Sequence, residues 1–204
     1  MIHILDLVDT GTGSLARWVD AHGLADHVRV LTVADAWTGP TFYPAGQFDA
    51  IWASPPSVQA FERAKDIIAH LKPSVWVIQD PGTCALKRRA GVRGLPWVDA
   101  SYCHYSTDGS RKNTRLWTNL ASDDENERHQ CAKAALRVCD QDCPNMAGKQ
   151  HRYQLCGAGG RKPHGVPLQL IEALLGPPVR AWAQVRAWRP PLEQLLQRGV
   201  LEFV

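Results

Sequence analysis

The sequence predicts an α/β protein built on a doubly wound, mainly parallel sheet, and three observations carry that prediction. Short apolar runs alternate with segments of helical spacing as far as Asp80. A glycine-rich turn, Asp9-Thr10-Gly11-Thr12-Gly13-Ser14, follows the first run. A stiff proline turn, Ser54-Pro55-Pro56-Ser57, follows the third. Alternation of this kind favours parallel strands joined by helical crossovers, and ligands of such sheets lie at the carboxyl ends of the strands.

Each element has its own justification. Ile2-His3-Ile4-Leu5-Asp6-Leu7-Val8 is an apolar run suited to a strand buried on both faces. Beyond the glycine turn, Leu15 to His22 has helical spacing and Gly23 closes it. Val28–Val33 reads as a second strand and Phe48–Ala53 as a third. Phe61 to Leu71 reads as a helix with Ile67, Ile68 and Leu71 on its apolar side. Ser74–Ile78 is a fourth strand, ending at Gln79-Asp80-Pro81-Gly82. Val98–Tyr105 and Leu116–Leu120 are expected to be strands flanking a basic turn at Arg111–Arg115. Val166-Pro167 opens an apolar helix expected to run to Leu175. A tail from Gly176 carries Trp182 and Trp188, with a last helix at Leu192–Gln197. The expected organisation is a core over 1–120, a Cys/His-rich insertion over 121–165 and a helical tail over 166–204.

Composition narrows the class. Of the 204 residues, 45% are hydrophobic and 21% charged, which excludes a disordered chain. No stretch reaches the roughly 18 apolar residues needed to cross a bilayer, and the N-terminal residues lack a signal-peptide pattern. A soluble intracellular protein is expected, with its six cysteines reduced or metal-bound rather than paired. The net charge of +3 is too small to argue for nucleic acid by itself. Two basic runs stand out, Lys87-Arg88-Arg89 with Arg93 and Arg111-Lys112 with Arg115; such runs are usually solvated faces, and the second is also a candidate for phosphate contacts.

The two turns carry the chemistry. Glycines between a strand and a helix let backbone amides approach a ligand closely. Paired prolines after a buried strand make a rigid loop at the crevice, suited to gripping a base taken out of its stack. Found in this order, the two are more specific than either alone.

The sequence resembles a compact group of viral and phage-type DNA cytosine-5 methyltransferases. The matching stretches are Ile4-Leu5-Asp6-Leu7 with Gly11-Thr12-Gly13-Ser14, then Gly46 to Pro56. Lys72-Pro73 precedes Trp76-Val77-Ile78-Gln79-Asp80-Pro81 in the same order. Leu95-Pro96, Ser101-Tyr102-Cys103-His104-Tyr105 and Arg111-Lys112-Asn113-Thr114-Arg115-Leu116-Trp117-Thr118-Asn119 continue the match. It ends with Cys139-Asp140-Gln141-Asp142-Cys143-Pro144, His151 and the helix from Val166-Pro167. The resemblance implies a Rossmann-like fold of the S-adenosylmethionine-dependent methyltransferase type. It also implies a cofactor held against Asp6, Gly11, Thr12, Gly13, Asp35, Ser54 and Pro55.

The family's chemistry makes the departures informative. In it, a cysteine thiolate after the paired prolines attacks C6 of a flipped cytosine while a glutamate, followed by asparagine, assists at N3. Here those catalytic positions hold Ser57, Gln79 and Asp80. A serine hydroxyl without an adjacent base is a far poorer nucleophile than a thiolate, and an amide supplies no carboxyl proton. Val8-Asp9-Thr10 stands where the family has a Phe-Ser-Gly type of entry, and Thr32-Val33-Ala34 offers no acid for the ribose. The stretches Gly23–Asp35 and Ser57–Lys72 are short for the family. Cys84 is the thiol nearest to Pro81 in sequence, as a substitute nucleophile or as an inert packed residue.

These features lead to two functional expectations. One is a non-catalytic descendant acting as a binding or structural component; the other is an active, or Cys-to-Ser trapped, methyltransferase. A structural zinc is expected from Cys139-x3-Cys143-x7-His151, because the surrounding segment is too polar to fold on a core of its own. Cys103 is the fourth ligand that the resemblance favours, with Cys131, His129 and Cys156 as competitors. DNA is the expected nucleic-acid partner, met by Arg111, Lys112, Thr114 and Arg115. The tail with Trp182, Trp188 and Pro190-Pro191 is expected either to contact a protein partner or to pack on its own domain.

Overall fold

The computed structural model describes residues 1–8, 13–34, 43–80, 94–106, 110–121, 136–139, 146–147, 150–151, 153–154 and 165–187. Strands β1 (Ile2–Val8), β2 (Val28–Ala34), β3 (Ala50–Ser54) and β4 (Val75–Asp80) lie parallel, with helix α1 (Ser14–Ala21) between β1 and β2 and α2 (Val58–Leu71) between β3 and β4. Strands β5 (Trp97–Ser101) and β7 (Asn113–Thr118) complete a six-stranded sheet of order β2-β1-β3-β4-β7-β5. Only β7 runs against the others, antiparallel to both β4 and β5. The short β6 (Ser110–Arg111) lies outside this sheet and pairs with β10 (Tyr153–Gln154), while β8 (Met146–Ala147) pairs with β9 (Gln150–His151).

Apolar residues on both faces of the strands explain why helices cover both sides. On β1, Ile2 and Ile4 join one buried cluster, and Leu5 and Leu7 join the other. The first cluster includes Leu15, Trp18 and Val19 of α1 together with Leu170, Ile171, Leu174, Leu175 and Val179 of α3 (Leu168–Ala187). The second takes Phe61, Ala64, Ile67 and Leu71 of α2, with Phe61 edge-on to Trp117 at 4.8 Å. Side chains alternate across a strand, so this three-layer packing follows from the sequence itself.

The observed strands fall within a few residues of expectation. Helix α2 starts at Val58 rather than Phe61, because Ser57 caps its first turn. The expected strand from Val98 to Tyr105 stops at Ser101 and gives way to a 3-10 turn at Tyr102–His104. A larger difference is α3, which continues to Ala187 through Pro177 and Pro178. Leu170, Ile171, Leu174, Leu175 and Val179 keep the helical period across the prolines and are all buried. Burying that stripe outweighs the lost backbone donors. Trp182 packs against the first cluster, so this part of the tail belongs to the domain's own core. Trp188 and Leu192–Gln197 lie outside the described residues.

Two polar ties anchor α3. Glu172 accepts from the Trp18 indole at 2.9 Å and also pairs with Arg180, and its carboxylate lies 3.4 Å from His22. At the far end, Arg186 meets Asp49 and the Met1 carbonyl. Among the described residues, no helix is long and apolar enough to cross a membrane.

Candidate functional site

The carboxyl ends of β1, β3 and β4 open at one edge of the sheet, the edge where doubly wound folds bind ligands. Register sets the rows. Asp6 pairs with Trp52 and Trp52 with Val77; one step further, Val8 pairs with Ser54. Strand alternation puts Asp6 and Gln79 on the face covered by α1 and α3, the side of Ile4 and Val77.

Asp6 is 2% exposed, and its Oδ1 has no hydrogen-bond partner among the described residues. Burial disfavours the carboxylate and raises its pKa from the usual 3.8 to about 7. The chain beyond β1 re-enters the described set at Gly13, whose φ of 59° lies in the left-handed region and leads directly into α1. A Cβ built on that glycine meets nothing within 4 Å among the described residues. A side chain at this φ would be strained, which accounts for glycine at the turn. Gly11, Thr12 and Asp35 lie outside the described residues.

At the end of β3, Pro55 is buried, whereas Pro56 and Ser57 are exposed. Ser57 Oγ accepts from the Ala60 amide at 3.1 Å and so caps α2. Gln79, 5% exposed, accepts from Ser54 Oγ at 3.4 Å and donates from Nε2 to the Tyr102 hydroxyl at 2.6 Å. Burial pushes the Tyr102 pKa well above the usual phenol value, so the hydroxyl keeps its proton. Asp80 ends β4 opposite Arg115, and nothing further is described of its side chain. Hydrogen bonds thus join Ser54, Gln79 and Tyr102 at the ends of β3 and β4, and Asp6 lies on the same face of the sheet; Tyr102 enters this set through strand pairing, which no local sequence signal announces.

Of the expected nucleic-acid residues, Arg115 forms a two-pronged ion pair with Asp99, both contacts at 2.8 Å, and stacks on Trp97 at 3.4 Å. Lys112 Nζ lies 4.9 Å from the Tyr102 ring centre, and Thr114 is buried. Arg111 takes part in β6, but its side chain is outside the described set.

Of the expected zinc ligands, Cys103 and Cys139 come together, joined by His104; a ligand atom from each lies within 4.8 Å of the others. His104 is the addition, missed because a Cys-His pair of sequence neighbours does not match spaced ligand patterns. Cys143 lies outside the described residues, and His151 is described only as backbone in β9.

A mixed sheet with helices on both faces and polar groups at its strand ends defines an α/β protein. No protein-family model matches the chain. The chain is similar to a Frog virus 3 (isolate Goorha) protein named probable DNA (cytosine-5)-methyltransferase, 27% identical over 160 residues, covering 61% of this chain and 69% of that one. This likeness supports a distant relationship to the DNA cytosine-5 methyltransferase family and, with it, a Rossmann-like fold.

Proposed function

We propose that the chain is a cytosine-5 methyltransferase-like protein that has lost methyl transfer and acts as a binding or structural component. One observation carries this reading: at the crevice, the position after the paired prolines holds Ser57, whose hydroxyl caps α2. A thiolate nucleophile has no counterpart there. Gln79 supports the same conclusion, since its amide is tied to Tyr102 and brings no acidic proton to a base.

The cofactor side is altered as well, yet it keeps several of the residues that the resemblance names. S-adenosylmethionine supplies an electrophilic methyl group when bound. Two features suit such a ligand: among the described residues, Asp6 Oδ1 has no hydrogen-bond partner, and a Cβ on Gly13 would meet nothing within 4 Å. Asp6, Gly13, Ser54 and Pro55 would hold it, together with Gly11, Thr12 and Asp35 in the segments that follow β1 and β2. DNA remains the proposed macromolecular ligand, through Arg111 and Lys112. Arg115 contributes less, because Asp99 already neutralises it.

The test is transfer of a labelled methyl group from S-adenosylmethionine to double-stranded DNA. The wild-type chain is expected to give none, and turnover by it would overturn the reading in favour of an active enzyme. Titration calorimetry with S-adenosylmethionine then separates a retained pocket from a lost one. Methyl transfer gained by Ser57→Cys with Gln79→Glu would show that the loss is confined to the catalytic positions.

A further inference from the structure

Away from the strand-end crevice, the turn after β5 carries a second set of reactive groups. Cys103 is buried within the 3-10 turn, His104 follows it, and Cys139 approaches from a segment some 35 residues later. Their ligand atoms, two sulfurs and one imidazole nitrogen, lie within 4.8 Å of one another. His104 Nε2 is sealed from solvent and has no hydrogen-bond partner among the described residues. Leaving such a nitrogen unsatisfied costs roughly 1–3 kcal/mol, so a sealed imidazole beside two thiols calls for a partner.

The backbone delivers Cys139 to this spot independently of any ion. Ser101 N donates to the Arg137 carbonyl at 3.0 Å, and Arg137 N donates to the Tyr105 hydroxyl at 2.7 Å. Cys139 N donates to Ser101 Oγ at 2.9 Å, and that hydroxyl in turn donates to Asn113 at 2.7 Å. Two stretches distant in sequence are therefore zipped together in the register that brings the sulfurs to His104. A preorganised donor set lowers the ordering cost of binding.

We propose that Cys103, His104 and Cys139 bind a zinc ion that staples the 136–139 segment to the turn after β5. Two thiolates and an imidazole suit a borderline-soft, tetrahedral ion and disfavour the hard cations calcium and magnesium. With Zn–S near 2.3 Å and Zn–N near 2.0 Å, ligand atoms of a tetrahedral site lie roughly 3.5–3.8 Å apart. The trio therefore closes by roughly 1.3 Å at most, within the reach of side-chain rotation. A fourth donor, water or a further side chain, completes the tetrahedron. The ligand set thus differs from the spaced pattern in the sequence by including His104. Tyr102 immediately precedes the two ligands on the turn, so the ion also steadies the hydroxyl that holds Gln79. The proposal does not rest on the methyltransferase reading.

The test uses the full chain, purified without chelator and reconstituted with zinc or with cobalt(II). Elemental analysis is expected to find one zinc per chain, and the cobalt form is expected to show the charge-transfer absorption of thiolate-bound tetrahedral cobalt. Cys103→Ser, Cys139→Ser and His104→Ala should each lower zinc affinity at least tenfold, while His104→Cys should retain the ion. Full zinc content in all three loss variants would overturn the proposal. So would a folded wild-type chain that takes up no zinc. Where the variants fail to fold, the wild-type cobalt spectrum decides, and absence of the thiolate band counts against the site.

Discussion

Gln79 and Tyr102 meet in a buried amide-to-phenol hydrogen bond of 2.6 Å, linking the end of a central strand to the turn beyond the edge strand. Strand β7 lies between those two elements in the sheet, so the bond spans it on the face covered by α1 and α3. Both partners are almost completely enclosed. Removing one of them leaves the other unsatisfied.

Tyr102→Phe is therefore expected to destabilise the fold by about 1–3 kcal/mol, the cost of an orphaned buried donor on Gln79. Gln79→Met should cost a similar amount, because it takes a donor from the phenol and an acceptor from Ser54 Oγ. The double variant should cost less than the sum of the two, since the Gln79–Tyr102 bond can be lost only once. Urea denaturation of the four proteins in a double-mutant cycle measures this coupling; strictly additive values would show that the bond contributes nothing.

Asp6 makes stability depend on pH. Its folded pKa, about 7, exceeds its ordinary value of 3.8, so the folded state holds a proton that the unfolded state releases. The contribution of the neutral carboxyl is fully present below about pH 4 and is lost as the pH rises through 7. Asp6→Asn keeps a neutral group there. It is expected to be more stable than wild type at pH 8, by up to about 4 kcal/mol, and nearly equal to it at pH 4. Thermal melts across that range check the sign, and a variant less stable at pH 8 than at pH 4 relative to wild type would contradict it.

Much of this architecture was legible because apolar periodicity and turn chemistry agree. Ile2–Val8 reads as a buried strand and is one, and the proline turn lies at the carboxyl end of β3, the end at which doubly wound sheets take their ligands. Helix α3 was misjudged where two signals conflict. Gly176-Pro177-Pro178 reads as a stop, yet the apolar spacing runs on to Val179 and Trp182, and core burial prevails. Sequence alone did not reveal the partners of the site residues. Nothing local in Arg115 announces Asp99 and Trp97, and nothing in Gln79 announces Tyr102, because strand pairing makes those contacts. His104 was hidden for the same reason, its neighbours being brought in by a segment far along the chain.

Ser57 has a structural duty that can be measured apart from any catalysis. Ser57→Ala removes the side-chain acceptor of the Ala60 amide and should cost about 1 kcal/mol. For a chain of this size that lowers the melting temperature by roughly 2–4 °C. Ser57→Asp, which also caps well and favours the positive end of the helix dipole, should restore the wild-type midpoint. An alanine variant as stable as wild type would remove the capping role.

Glu172 provides the opposite pH signature from Asp6. Partial burial opposes its charge, but hydrogen bonds from Arg180 and Trp18 and the positive charges of Arg180 and His22 outweigh burial and hold its pKa below the usual 4.5. A depressed carboxylate stabilises the fold above its unfolded pKa and loses that contribution as pH falls through the folded value. Glu172→Gln keeps the shape and a possible acceptor for Trp18 but surrenders the ion pairs. It should be less stable than wild type at pH 7 by about 1 kcal/mol, with the gap closing as the pH falls through the depressed pKa and wild-type Glu172 takes up its own proton. Because Glu172 ties α3 to α1 through Trp18, the loss should appear as faster amide exchange in both helices at neutral pH. A gap that persists unchanged at pH 3 would assign the effect to packing rather than to charge.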